Sequence, residues 1–565
     1  MEVFSELAGI AVIFLATILL AIPLGKYMSK VYGGEKSWSD FIAPIEKFIF
    51  RISGIDPLKG MNWKEHLKAM LTINSVWFVY GFFMLLTQSW HFWNPDHNPS
   101  MKPDLAFNTV ISFLVNCNLQ HYSGETGMSY LSQLAVVTFF QFTSAATGMS
   151  MAVVVFNAMR YKSAEKLGNF YMYFVKSITR ILLPLSIILA VILTFRGVPV
   201  TFKGQKQIVT VQGETVKVAR GPVAPLVAIK QLGTNGCGFF GANSAHPFEN
   251  PDYFTNMLET SAIFLIPVAM VFALGFYLQK KKIAWLIFGV MTTGFLLLLA
   301  PAVNQEMKGN PAITSLGINQ PLGNMEGKEV RFGSAASAFW GIITTSTSSG
   351  SVNSMHDSFT PLTGMSALLG MMINSLYGGV GVGFLNYYIF IIITVFIAGL
   401  MVGRTPEFLG RKIEAREIKI AVIVALIHPL LILTGTAISA YVIHLRPTLE
   451  WLGNPGFHGF SEMLYEFSSA SANNGSTFAG IADNNMWFNL STGVVLAFSR
   501  YIPIIGPVAI AGILAKKKVI PDSAGTLQTD STTFGVMTFV VIIIIAALSF
   551  FPALALGPLA EHFSL

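Results

Sequence analysis

The chain is 565 residues long, 53% hydrophobic and only 12% charged, with a mean hydropathy of +0.59. An ordinary soluble domain carries about twice that charged fraction, so a multidomain soluble enzyme, a disordered chain and a collagen-like chain are all excluded. The 36 Lys+Arg against 29 Asp+Glu leave +7, which in so apolar a chain points to loops held against anionic lipid rather than to nucleic acid.

A helix needs about 20 mostly apolar residues to cross a bilayer. Ten segments qualify, at 7–27, 66–90, 130–158, 170–195, 257–279, 283–302, 362–402, 418–442, 486–514 and 534–556. The expected fold is an all-α polytopic membrane protein with ten transmembrane helices. The opening MEVFSELAG has no basic region and no small-residue cleavage site, so the first apolar run is expected to stay as a span. The alternation in 207–219 around Gly213 predicts a small hairpin. The seventh segment is about twice too long for one straight span. It should break at 378–383, where Gly378, Gly379, Gly381 and Gly383 leave little helix propensity.

Orientation follows from the connections. Lys26, Lys30, Lys36, Lys47, Arg51 and Lys59 stand in the first. Alternate later ones carry Arg160, Lys162 and Lys166, then Lys280–Lys282, then Arg404, Arg411, Lys412 and Arg416, then Lys516–Lys518. The intervening connections are longer and poorer in positive charge, apart from 196–230, and long loops obey the rule weakly. Both termini are therefore expected outside.

Four of those long connections share one design. Each has a short apolar stretch, Leu105–Val115, Ala224–Leu232, Ser334–Ile343 or Phe460–Phe467, followed by a Gly/Ser/Thr/Asn segment and then the next span. The polar segments are NCNLQHYSGE (116–125), GTNGCGFFGANS (233–244), TTSTSSGSVNS (344–354) and SSASANNGSTF (468–478). A helix of about ten residues covers only ~15 Å, so the chain must return as non-helical backbone, which survives at membrane depth only inside protein or along an aqueous path. The spacing gives four span–pore helix–loop–span repeats plus one extra span at each end. The implied boundaries are 1–62, four pore repeats at 63–165, 166–282, 283–416 and 417–518, and a last span at 519–565. Four polar loops around one axis suit a desolvated potassium ion, since carbonyl and hydroxyl oxygens replace its hydration shell and the pore helices aim their negative ends inward. None of the loops reads TVGYG, so a homotetrameric channel is not expected.

These strings resemble the KdpA family, the potassium-channel-like A subunit of the Kdp ATPase, within the Trk/Ktr/HKT superfamily of pore-loop transporters. The residues carrying the resemblance include GTNGCGFFGANSAHPFENP (233–251), NMEGKEVRFG (324–333), SVNSMHDSFTPL (351–362), YGGVGVGF (377–384), GRTPEFLGRKIE (403–414), GFHGFSEMLYEFSSASANNGSTFAG (456–480) and FPALALGPLAEH (551–562). The resemblance implies a potassium-import complex of the bacterial plasma membrane. In it the A subunit binds and selects K⁺, the B subunit is the P-type ATPase that supplies the energy, and the C subunit and a small single-span F subunit complete the assembly. The chain has no DKTGT phosphorylation motif and no nucleotide-binding loop, so it is expected to be non-catalytic, with potassium as its transported ion and no ATP site. The alternative is a stand-alone Trk/Ktr-like transporter or channel, which needs no ATPase.

Carried over residue by residue, the resemblance implies filter positions at Asn116, Cys117 and Asn118; Thr234, Asn235 and Gly236; Thr347, Ser348 and Gly350; and Asn473, Asn474 and Gly475. Gln120, Cys237 and Phe239 stand near them. The sequence departs from the family pattern at Cys117 (Thr expected), Leu119 (Trp), Cys237 (Gly), Asn374 (Glu) and Ala472 (Asn). A Cys117–Cys237 bridge would tie two filter walls together, and small residues replacing small residues is the simpler reading.

Several charges invite two readings each. Arg500, deep in the ninth span, either discourages straight conduction below the filter or pairs with a helix C-terminus or carbonyls of the 378–383 break. Glu125, Glu249, Asp357 and Glu466 either concentrate cations at the mouth or serve as local partners, the latter favoured for Glu249. His246 and His356 lack metal-ligand spacing. Phe239 and Phe240 are packing residues or a gate toward a neighbouring protein of the complex.

Overall fold

The computed structural model describes residues 2–161, 163–401, 403, 405–520 and 528–565. Lys162, Val402 and Arg404, used above for orientation and for the end of the seventh segment, lie outside the described residues. Among the described residues ten helices are long and apolar enough to cross a membrane, one within or overlapping each of the ten expected spans. The seventh is broken. Its first piece is Pro361–Ile373 and its second Val382–Met401.

Within each repeat the span after the pore loop is more buried than the span before it, by the least in the third, at 61% against 56%. The spans that follow a pore loop are mostly inside the protein: 89% of the apolar window of Tyr130–Arg160 is buried, and 78% of that of Tyr253–Tyr277. Those that precede a pore loop, such as Trp63–Leu86 and Ala415–Leu445, are buried by only 28% and 33%, and the first and last spans are similarly open. An outer helix that is apolar all round meets lipid, because lipid is as good a solvent for Leu and Ile as a protein core.

The four short helices inside the long connections are Pro103–Leu114, Val223–Leu232, Gly333–Ser346 and Gly456–Ala472. The first and last start behind prolines, whose missing N–H costs nothing there: Pro103 is the first helical residue and Pro455 the N-cap. The predicted hairpin pairs Lys206–Val209 with Thr215–Val218, antiparallel, turning through Gly213 at φ +87°. A second two-residue hairpin, Glu407–Phe408 with Arg411–Lys412, lies in the basic connection before the eighth span and has no signal in the sequence pattern.

Both chain ends lie on the face that bears the pore loops. Gly9 abuts the Tyr253 hydroxyl just beyond the second loop. Glu561 bonds His458 Nδ1 at 2.8 Å in the first turn of the fourth pore helix. On the opposite face the basic connections interlock through backbone bonds, Met61 N to Gly168 O, Ala164 N to Ala515 O and Ile520 N to Gly410 O.

His458 also bonds Asp357 through Nε2 at 3.0 Å, so each ring nitrogen faces a carboxylate. Burial opposes its charge, but the bonds to Asp357 and Glu561 prevail and push its pKa up to about 10. A folded-state pKa above the ordinary 6.5 means that the folded chain holds a proton the unfolded chain has lost. The stabilisation is full below about pH 6.5 and is lost as pH rises through about 10. The gap in Tm between wild type and His458→Gln, in detergent, is therefore expected to be widest at pH 6 and to close by pH 11. A gap independent of pH would show that the ring acts only by packing.

Candidate ion-binding site

Each pore helix ends in a residue pair or triplet whose φ angles alternate in sign. The left-handed residues are Asn116 (+63°) and Asn118 (+64°), Thr234 (+49°), Ser348 (+50°) and Gly350 (+82°), and Asn473 (+53°) and Gly475 (+108°). Alternating handedness keeps successive carbonyls on one side of the chain, which a helix or strand cannot do. Asn is the side chain most tolerant of this region after Gly, and it supplies three of the seven positions.

The alternation sets the register of the four loops. Asn116, Thr234, Ser348 and Asn473 are equivalent, as are Cys117, Asn235, Ser349 and Asn474, and then Asn118, Gly236, Gly350 and Gly475. Thr347 falls one residue early. It caps its helix at φ −96°, and its hydroxyl donates back to Ile343 O at 2.8 Å. Ser349, missed by sequence reasoning, takes the central position, and its hydroxyl reaches Asn235 O at 3.4 Å.

The loops converge on one point. Gly236 N donates to Cys117 O at 3.1 Å. A Cβ on Gly236 would stand 2.6 Å from Cys117 O and 3.0 Å from Asn474 O, and one on Gly350 would collide with Asn474 O. Side chains brace these walls from behind. Asn116 Nδ2 donates to Gly233 O and Thr234 O at 3.0 and 2.9 Å, Asn474 Nδ2 to Thr344 O at 2.8 Å, and Asn243 Nδ2 to Gly236 O at 2.5 Å. Gln120 clamps Gly238, its carbonyl accepting at 3.0 Å and its N–H donating at 3.1 Å. Asn118 Oδ1 and Asn235 Oδ1 are buried with no hydrogen-bond partner among the described residues, which leaves oxygen ligands available to a cation. A cavity of about 300 Å³, lined by Gln120, Asn243, Gly236, Gly350, Gly475 and Ser476, opens above the convergence.

Below it lies the break in the seventh span. The loop runs from Asn374 to Gly381, four residues ahead of the predicted start, and Gly383 already belongs to the next helix. Asn374 ends the first piece in the left-handed conformation at φ +45°, and Tyr377, Gly378 and Gly381 also have positive φ. The pore loops above satisfy its backbone: Gly378 N donates to Ser346 O at 2.9 Å and Val380 N to Thr234 Oγ1 at 3.1 Å. Asn374 accepts from the Ser348 hydroxyl at 2.8 Å. Arg500 is buried beside Gly379 and Gly148, but its hydrogen bond goes to Ser144 O at 3.5 Å rather than to a carbonyl of the loop.

The remaining expected residues take structural places. Cys117 and Cys237 are free buried thiols, and Gln141 Nε2 lies 3.2 Å from the Cys237 sulfur. Phe239 packs beneath Gly221 and against Tyr130, while Phe240 stacks on His246 at 3.8 Å. The four acidic residues at the mouth all have partners: Glu125 with Gly241 N, Glu249 with Lys230, Asp357 with His458, Glu466 with His121. The Lys230–Glu249 pair is fully buried at 2.5 Å, with Asn243 and Ser244 also accepting from the ammonium. It joins the second pore helix to the loop that follows the filter, a role the sequence did not disclose.

The family model for the potassium-transporting ATPase A subunit, KdpA, matches residues 11–563. The chain belongs to the KdpA family. It is similar to the potassium-transporting ATPase potassium-binding subunits of Flavobacterium johnsoniae (64% identity) and Flavobacterium psychrophilum (63%), each covering 99% of this chain and all of the relative. That of Geobacillus kaustophilus is 47% identical over the full length of both. With ten apolar helices and this family, the chain is a multi-pass membrane protein.

Proposed function

We propose that this chain is the non-catalytic potassium-binding and selectivity subunit of an ATP-driven potassium import complex. The observation that carries the reading is the convergence of four unequal loops with alternating backbone handedness, which offers carbonyl and amide oxygens rather than carboxylates. Neutral oxygen ligands in a fixed ring suit a monovalent ion that must be stripped of water and then released. The names of the relatives agree with this chemistry.

The complex is read as comprising the P-type ATPase B subunit, the C subunit and the small single-span F subunit, in the bacterial plasma membrane. The pore-loop face and both termini point outward, and the basic connections point to the cytoplasm. The filter positions are Asn116–Asn118, Thr234–Gly236, Ser348–Gly350 and Asn473–Gly475, within four repeats bounded as the sequence suggests. The Asn374–Gly381 loop, roofed by two pore loops and flanked by Arg500, closes the direct route inward and turns the ion sideways toward the B subunit.

The test separates this reading from a stand-alone transporter. Purified alone, the chain is expected to show no ATP hydrolysis and no phosphoenzyme. A tagged copy is expected to bring down a P-type ATPase from its native membrane, and the recovered complex should hydrolyse ATP in response to K⁺. K⁺ flux through the isolated chain in liposomes, with no ATPase recovered, would favour the Trk/Ktr-like alternative.

A further inference from the structure

Beside the first filter loop, His121, Glu466 and Asp483 each place one side-chain ligand atom within 4.8 Å of the others. They come from three separate elements: the segment after Asn118, the middle of the fourth pore helix, and the loop ahead of the ninth span. His121 and Glu466 are fully buried, while Asp483 is partly exposed and opens the cluster toward the pore-loop face.

The hydrogen bonds fix the imidazole. Asn489 Nδ2 donates to Asp104 Oδ2 at 2.9 Å, which turns Asn489 Oδ1 toward His121 Nδ1 at 2.8 Å. An amide oxygen only accepts, so Nδ1 carries a proton and Nε2 of a neutral ring presents its lone pair. That lone pair faces Glu466 Oε1 at 3.1 Å, an atom that also only accepts. A proton or a metal ion must therefore bridge them. A proton satisfies this one contact but leaves Glu466 Oε2 buried with no hydrogen-bond partner among the described residues.

We infer that His121, Glu466 and Asp483 form a binding site for one divalent transition-metal ion of the Zn²⁺ class. The 3.1 Å His121–Glu466 separation is close to the edge of a tetrahedron with ~2.0 Å bonds, about 3.3 Å, while Asp483, within 4.8 Å of both, would close in on the ion. Three protein ligands, one imidazole and two carboxylates, with the partly exposed side left for water, match an open four-coordinate zinc site. Too few oxygens converge for Ca²⁺, which takes six to eight. The Asp104–Asn489–His121 chain is the outer-shell arrangement that holds a ligating histidine in one tautomer. An ion here would tether the segment leaving Cys117 and Asn118 to the fourth pore helix.

The test uses the full chain in its detergent-solubilised complex, freed of metal by chelator, and reads no transport. Competition with a chromogenic chelator is expected to show one Zn²⁺ bound per chain. His121→Gln and Glu466→Gln should each weaken it about tenfold or more, with Mg²⁺ and Ca²⁺ failing to compete. Co²⁺ added to the wild-type complex should give the visible absorption of a four-coordinate site, lost on adding Zn²⁺. This measurement decides the matter if the variants do not assemble. Absence of saturable Zn²⁺ binding and of the Co²⁺ band, or equal binding by both variants, would overturn the site and leave a protonated His121–Glu466 ion pair.

Discussion

Gly475→Ala is expected to weaken K⁺ binding about 100-fold or more and to abolish ATP-driven uptake at micromolar K⁺. Gly475 has φ +108°, where an L side chain is strained. A methyl group there would collide with the Cys117 carbonyl oxygen and press on Gly236 Cα. Neither neighbour can yield cheaply, since both are backbone of adjacent filter walls. Backbone strain of this kind costs about 1–3 kcal/mol, and relieving it by turning the Cys117 carbonyl would also displace an oxygen of the proposed filter. At about 1.4 kcal/mol per tenfold change, the two effects together reach at least two orders of magnitude. Isothermal titration of the complex with K⁺, alongside uptake in cells lacking other K⁺ importers, measures it. Unaltered affinity would place the ion away from the Gly236–Gly475 convergence.

Arg500→Gln is expected to let K⁺ pass without ATP. The guanidinium is buried beneath the filter beside Gly379, and Gln keeps some hydrogen-bonding capacity while removing the charge. For an ion passing within about 8 Å of such a charge, an effective dielectric constant near 20 gives a barrier of about 2 kcal/mol. Its loss corresponds to roughly a 30-fold rise in passive flux. Rubidium efflux from proteoliposomes holding the complex without nucleotide reads it directly. Shortening the Asn374–Gly381 loop should produce a larger leak in the same assay. If neither variant leaks, the barrier to inward passage lies elsewhere.

The pore helices and the break in the seventh span were legible because they contradict the bilayer's length rule. Ten apolar residues are too few to cross and forty too many. Exact register was harder. Thr347 and Ser348 look interchangeable as sequence, and only backbone handedness shows that Ser348 rather than Thr347 stands level with Thr234 and Asn473, which leaves Ser349 level with Asn235 and Asn474. The break begins at Asn374 rather than at the glycines because an asparagine can end a helix in the left-handed conformation as glycine does. Glycine content marks where a chain is free to turn, not where it first does so. Long-range charge pairing was out of reach. Lys230 reads as one more basic residue in a long loop until Glu249 is found against its ammonium. His121 and Glu466, 345 positions apart, share no local pattern at all.

The four loops differ in sequence although they converge on one point, and that asymmetry changes what one mutation does. In a homotetrameric pore, a single codon change alters every wall at once, so ligand strength moves in jumps of four. Here Asn118 stands level with three glycines, and Cys117 with Asn235, Ser349 and Asn474. Each wall is under separate genetic control. Affinity is thus tunable one ligand at a time, by fractions of a kcal/mol, without rebuilding the others.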